Sequence, residues 1–439
     1  MAGVKGLRVA FCHPDLGLGG AERLVVDAAT ELASGGAAVD VWTAYYDPAR
    51  CFEETRGSGG FAVRVAGGWF PRSVAGRCIA ICAYVRCCLV ALAIVWRCWT
   101  ARAYDVVVAD QVSVVVPLLL ALTNARVVFY CHFPDQLLSS PASALHRAYR
   151  APLNWLEQAT TGMATRVLVN SEYTAGVFAA TFNRLHAHGI RPGVLYPAVA
   201  VPSEKDLRSA ADSWAAGMGS EWADFLSGGP VFLSINRFER KKGLALALRA
   251  LAELRAERGD ADGAGPRLVM AGGYDKRLPE NVEHLAELQA EAADLGLGPD
   301  AVRFLPSFTD EQRAWLLAAC TAVLYTPERE HFGIVPLEAM AAARPVVACN
   351  SGGPCESIGA AGDVGFLCDP TPGAFAAAMR TLLAPNKAAA LGVAARRRVQ
   401  ERFSRPAFGA RLGAIVSEAA EGASTIQMAP LSPDADNTT

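Results

Sequence analysis

Short apolar runs alternate along this chain with longer stretches of helical period. Leu7 to Cys12 reads as a buried strand, Asp15 to Gly20 (DLGLGG) as a glycine-rich turn, Ala21 to Ala33 as an amphipathic helix and Val39 to Thr43 as a second strand. That order is a β-α-β unit. Further strands are expected at Asp105 to Ala109, Arg126 to Tyr130 and Thr165 to Asn170, with helical patterns between them. The second half repeats the alternation, with strands at Val231 to Ile235, Arg267 to Ala271, Val302 to Leu305, Ala322 to Tyr325 and Pro345 to Ala348 between helices such as Gly243 to Arg258 and Glu311 to Cys320. Such a pattern predicts an α/β protein of two doubly wound parallel sheets.

Length fixes the number of sheets. At 439 residues the chain exceeds what one core supports, so two domains of about 200 residues each are expected. Leu195 to Glu204 (LYPAVAVPSE), with two prolines and no helical period, reads as the link between a domain over 1–198 and another over 199–403. A C-terminal helix over 404–420 and a disordered tail over 421–439 complete the expectation. The formal charge of −2 gives no case for nucleic-acid binding. The N-terminus runs into a strand without the form of a cleavable signal, so the twelve cysteines read as reduced thiols, and their spacings lack zinc-site form.

The chemistry concentrates at predicted strand ends. Glu330 and Glu338 flank the run between strand end Tyr325 and a helix expected to open at Pro336, which puts Glu338 in its first turn. There the helix dipole and free N–H groups suit a phosphate, while two carboxylates suit hydroxyls; a sugar nucleotide combines both. Alone, the pair also fits a solvated loop charge and a helix-start residue. Arg237 and Lys242 (SINRFERKKG) leave the first strand of the second half and can converge on a diphosphate; otherwise they form a solvated basic loop. Gly19 and Gly20 permit close backbone approach, but Glu22 stands where a dinucleotide fingerprint needs glycine, which counts against a dehydrogenase. Gly272, Gly273 and Ser351 to Pro354 read as turns, functional or ordinary. His132 exits a strand and is either structural or a proton handler. The acidic pairs Asp260 with Asp262 and Asp434 with Asp436 lie in a loop and the tail, so no metal is expected.

Val74 to Trp99 is apolar but broken by Arg77, Arg86 and Arg97, too often for a clean spanning helix. Between Glu54 and Asp105 stand seven arginines and no acidic residue, with Trp69, Phe70, Tyr84, Trp96, Trp99 and Tyr104 among them. Such a segment suits anionic headgroups at a membrane surface, or else a buried helix with snorkelling arginines.

With E-x7-E, the Arg237 and Lys242 loop, the early glycine turn and the central histidine in order, the chain resembles the retaining glycosyltransferase family 4, with the GT-B fold: two Rossmann-like domains facing each other across a cleft. NRFERKKG, AGGYDKR, TPEREHFGIVPLEAM, NSGGP, YCHFPDQLL and TTGMATRVLVNSEYTA resemble, more closely, the family of bifunctional α-1,3/α-1,6-mannosyltransferases of the dolichol pathway. The resemblance runs from about Val9 to about Phe403, departing at Gly243, where that family's loop carries asparagine. It implies GDP-mannose as donor, a dolichyl-diphosphate-linked oligosaccharide as acceptor, the cytosolic face of the endoplasmic reticulum membrane, and other mannosyltransferases of the pathway as candidate partners. Carried over, Glu330 would contact the donor mannose and Glu338 the ribose. Arg237 and Lys242 would hold the diphosphate, with Gly19, Gly20, Gly333, Ile334 and Val335 against the donor. His132 would face the reacting sugar. A family 4 transferase with another acceptor, or a silent scaffold of the same fold, are the alternatives.

Overall fold

The computed structural model describes residues 2–74, 78–138, 143–259, 265–359 and 362–422. Arg77, both acidic pairs and the tail beyond residue 422 lie outside the described residues. The chain forms two compact units, Met1–Ala198 with Arg405–Thr439, and Val199–Ser404. It crosses from one to the other within the proline-rich stretch, and the helix Arg405–Ala420 packs in the first unit.

The first unit holds a seven-stranded sheet of β1 (Arg8–His13), β2 (Ala38–Thr43), β3 (Ala62–Val65), β4 (Val106–Asp110), β5 (Arg126–Cys131), β6 (Arg166–Val169) and β7 (Gly193–Val194), ordered β3-β2-β1-β4-β5-β6-β7 with every pairing parallel. Successive side chains on a strand point to opposite faces, so a doubly covered sheet needs apolar residues at nearly every position. Accordingly Val9, Phe11, Val108 and Val128 pack with Leu24, Val25 and Leu32 of α1 (Gly20–Ser34) and with Phe408 and Leu412 of the C-terminal helix. Ala10, Cys12, Val107 and Phe129 pack on the other face with Cys87, Val90 and Ile94 of α2 (Ile79–Thr100). α3 (Val116–Leu122), α4 (Asp135–Leu138) and α5 (Ala144–Thr161) follow between strands.

The segment expected to lie in a membrane interface is thus one 22-residue helix with a face in the protein core. The reason is that Arg86 neither snorkels nor breaks it: its guanidinium is buried against Asp15, with Nη2 2.6 Å from Oδ1 and Nη1 3.1 Å from Oδ2. By length and composition α2 could cross a membrane. Its other face leaves Ile79, Ile81, Leu92, Trp96 and Trp99 exposed.

The second unit holds a six-stranded sheet of β8 (Val231–Ile235), β9 (Arg267–Gly272), β10 (Val302–Pro306), β11 (Ala322–Tyr325), β12 (Val346–Cys349) and β13 (Gly365–Cys368), ordered β10-β9-β8-β11-β12-β13 and parallel throughout. Phe232, Leu268, Met270 and Leu324 pack on Leu248, Leu251 and Leu254 of the helix Ala245–Arg258. In each sheet the strand order reverses once, between β1 and β4 and between β8 and β11. The crevice outside the carboxyl ends of the strands at such a reversal is where open α/β sheets bind ligands.

None of the twelve cysteines forms a disulfide. One boundary differs in a way that matters. The helix expected from Pro336 runs over Ile334–Ala341, opened by Gly333 in the left-handed region (φ 79°), so Glu338 lies past the first turn. The first three helical N–H groups have no internal partner, so proline fits the third position as readily as the first.

Candidate active-site residues

At the second unit's reversal, β8 delivers Arg237 to Lys242 and β11 delivers Thr326 to Glu330. Lys242 ends a 3-10 turn, and its carbonyl accepts from Thr326 Oγ1 at 2.8 Å, tying the two loops together. Its Nζ donates to Glu330 Oε2 at 2.5 Å. Gly243 follows at φ 61° and ψ 31°, the left-handed region that glycine and asparagine both tolerate, which explains why one can stand for the other.

The glycine turns build this loop pair. A Cβ on Gly352 (φ 70°) would lie 2.4 Å from Glu330 O, and one on Gly353 2.3 Å from Phe332 Cα. Gly353 N donates to Glu330 O at 2.8 Å, and Arg329 N to Ser351 Oγ at 3.1 Å. Ser351 to Pro354 therefore supports the Glu330 backbone from beneath. Gly272 serves the other loop, since a Cβ there would sit 1.7 Å from Asn236 O.

The candidate cations and carboxylates are paired. Glu330 is hydrogen-bonded by Tyr325, whose phenol burial and that carboxylate push far up. His331 is pulled below the usual histidine range by burial, with Lys242 and Lys241 adding to it against Glu330. Glu338 accepts from Arg313 Nη1 at 2.6 Å; burial raises its carboxyl and Arg313 opposes. Arg237 does not share a partner with Lys242, because its Nη1 lies 2.8 Å from Glu239 Oε1. Gly333 faces Tyr325, with a Cβ there 3.3 Å from the phenol oxygen; Ile334 is exposed and Val335 half-buried. Sequence reading missed Arg313, Tyr325 and Glu239. Of these only Glu239, inside the same basic run, carried a visible signal.

At the first unit's reversal, three adjacent strands bring together residues far apart in sequence. Asp110 ends β4, His13 ends β1 and His132 follows β5. Asp110 Oδ2 is 2.7 Å from His13 Nδ1, and Oδ1 is 2.8 Å from His132 Nε2. His13 Nε2 meets Asp15 O at 3.0 Å. Both nitrogens of His13 thus face acceptors, which the imidazolium alone satisfies. Burial disfavours that charge, but Asp110 outweighs it and the His13 pKa is raised. Burial would likewise raise Asp110, yet the two histidines bring it to about 2. His13 and Asp110 escaped the sequence reading, although each stands at a strand end as His132 does.

The loop after His132 is clamped by Glu157 on α5, whose carboxylate accepts from Asp135 N at 2.7 Å and Gln136 N at 3.1 Å. Burial, with Asp135 adding to it, raises that carboxyl to about 7. Gly19 is extended (φ −148°), and a Cβ on Gly20 would meet nothing within 4 Å, so protein packing does not demand glycine at Gly20. Among the described residues no cluster of three or more His, Cys, Asp or Glu is arranged to hold a metal ion.

Two parallel Rossmann-like sheets are the architecture of the GT-B glycosyltransferases, and the family matches place the chain in that class. The chain matches the family "Glycosyltransferase Family 4" over residues 18–201 and "Glycosyl transferases group 1" over residues 223–398. Sucrose-phosphate synthase from Thermosynechococcus elongatus shares the fold, with a TM-score of 0.70 and 21% identity over 95% of this chain and 100% of that one. Alpha-1,3/1,6-mannosyltransferase ALG2 of Homo sapiens is 48% identical over 92% of this chain and 94% of its own. The protein of that name from Dictyostelium discoideum is 42% identical over 94% and 99%. The chain belongs to this family of α-1,3/1,6-mannosyltransferases, and is an enzyme.

Proposed function

We propose that this mannosyltransferase takes GDP-mannose as donor and a dolichyl-diphosphate chitobiose bearing one mannose as acceptor, adding an α-1,3- and then an α-1,6-linked mannose with retention. The observation that carries the reading is the pairing of Lys242 with Glu330 at the reversal of the second sheet, in a chain whose relatives carry that activity in their names. Lys242 and Arg237 hold the diphosphate and stabilise the departing GDP electrostatically. Glu330 acts on the mannose as positive charge develops at the anomeric carbon, and Glu338 binds the ribose. Gly19, Gly20, Gly333, Ile334 and Val335 contact the donor. The first unit binds the acceptor, with His132 serving its hydroxyl.

The site of action in this reading is the cytosolic face of the endoplasmic reticulum membrane, shared with other mannosyltransferases of the pathway. The exposed apolar face of α2, with Trp96 and Trp99, supports membrane attachment. The test is to incubate purified protein with GDP-mannose and a one-mannose dolichol-type acceptor, with and without EDTA. Two mannoses should be added in both arms, because lysine and arginine carry the diphosphate's charge. Loss in EDTA that magnesium or manganese restores would assign the diphosphate to a metal.

A further inference from the structure

Four basic residues, Arg237, Arg240, Lys241 and Lys242, stand in the loop after β8, and Glu239 lies among them. Its side chain is 10% exposed, against 62% for Arg237 and 67% for Lys241. Oε1 lies 2.8 Å from Arg237 Nη1 and Oε2 lies 3.1 Å from Lys241 Nζ. The backbone fixes it: Glu239 N donates to Arg237 O at 2.8 Å, and Lys242 N donates to Glu239 O at 2.9 Å. Arg240 turns away to Glu283 and Glu287 on the helix Pro279–Asp294.

A carboxylate is the wrong sign of charge beside a diphosphate. Burying one costs free energy unless cations compensate, and here two do. Those cations are exposed and free to swing on long stems, whereas the carboxylate is held in place. We propose that Glu239 is a resident counter-ion that competes with the donor's diphosphate for Arg237 and Lys241, and so sets how tightly nucleotide is held and how fast GDP leaves. The proposal rests on the diphosphate binding at Arg237 and Lys242. On donor arrival the two cations turn from Glu239 to the phosphate oxygens; as GDP departs, Glu239 recaptures them. A chain that adds two sugars must release GDP twice, so over-tight retention would limit both additions.

Glu239→Gln keeps the shape and removes the charge. By calorimetry the variant should bind GDP about three- to tenfold more tightly, the effect of removing one like charge whose cationic partners are exposed to solvent. Its donor KM and kcat should fall together, with slower release of a fluorescent GDP analogue. Glu239→Asp, which retains the charge, should stay near wild type. If Glu239 merely holds the loop, Glu239→Gln binds GDP more weakly, melts lower and raises KM, and the proposal is overturned. Equal tightening in the Asp variant would also overturn it, since geometry and not charge would then be at work. Lys242→Ala separates the two levels: if it weakens GDP at least tenfold while Glu239→Gln fails to tighten it, competition alone is wrong. If neither variant changes GDP binding, the diphosphate lies elsewhere.

Discussion

Lys242 and Glu330 neutralise each other 2.5 Å apart, so each has two effects when replaced. In the proposed mechanism, Glu330→Gln removes the charge that acts as the transition state forms but leaves Lys242 for the diphosphate. Only interactions stronger in the transition state raise the rate, so kcat should fall about 100-fold with donor affinity nearly kept. Lys242→Ala should instead weaken donor binding, and steady-state kinetics on both variants checks the split. Glu157 gives a prediction in pH. Its folded carboxyl lies at about 7, above the ordinary 4.5, so the folded state binds the extra proton. Its contribution to stability is therefore full below about pH 4.5 and lost as pH rises through about 7, of order 3 kcal/mol. Thermal melts from about pH 5 to 8 should fall more steeply in wild type than in Glu157→Gln; parallel curves would remove Glu157 as the cause. The Glu330 and Glu338 spacing was legible in sequence because both lie on one short segment. Arg313 and the His13 and Asp110 pair were not, because only strand order brings them to their partners.

At the scale of elements, α2 teaches how a charge can mislead. Arg86 reads as a break in an apolar run because its partner Asp15 lies 71 residues earlier, beyond any local pattern. Paired and buried, it lets the helix continue for 22 residues. The strands around it were legible because a doubly covered sheet writes itself as unbroken apolar runs. β3 and β7 were not: β3 is only partly buried at the sheet's edge, and β7 is two residues long. α2's outer face carries the membrane prediction. Leu92→Ser with Trp96→Ser should abolish flotation with anionic liposomes, while stability changes by no more than about 0.5 kcal/mol per exposed site. Trp99 is a poorer probe, since its indole N–H donates to Leu122 O at 2.9 Å. Unchanged flotation would place the anchor elsewhere.

Over the whole molecule, two sheets each reverse strand order once, and each reversal carries one cluster of charged side chains. That plan was readable from alternation and length, whereas the side-chain partners at each reversal were not. Of the two clusters, the one after β8 and β11 has, among the described residues, one Lys242 and Glu330 pair, and in the proposed mechanism that one donor site serves both linkages. Two acceptor poses presenting different hydroxyls to the same donor carbon are compatible with one site, provided each is held in near-attack geometry. The decisive measurement is glycosidase mapping of the products that Glu330→Gln protein makes from one-mannose and from two-mannose acceptors. The account predicts that α-1,3 and α-1,6 transfer fall together by similar factors. Normal addition of the second mannose alongside a failed first would reveal another donor site and contradict it.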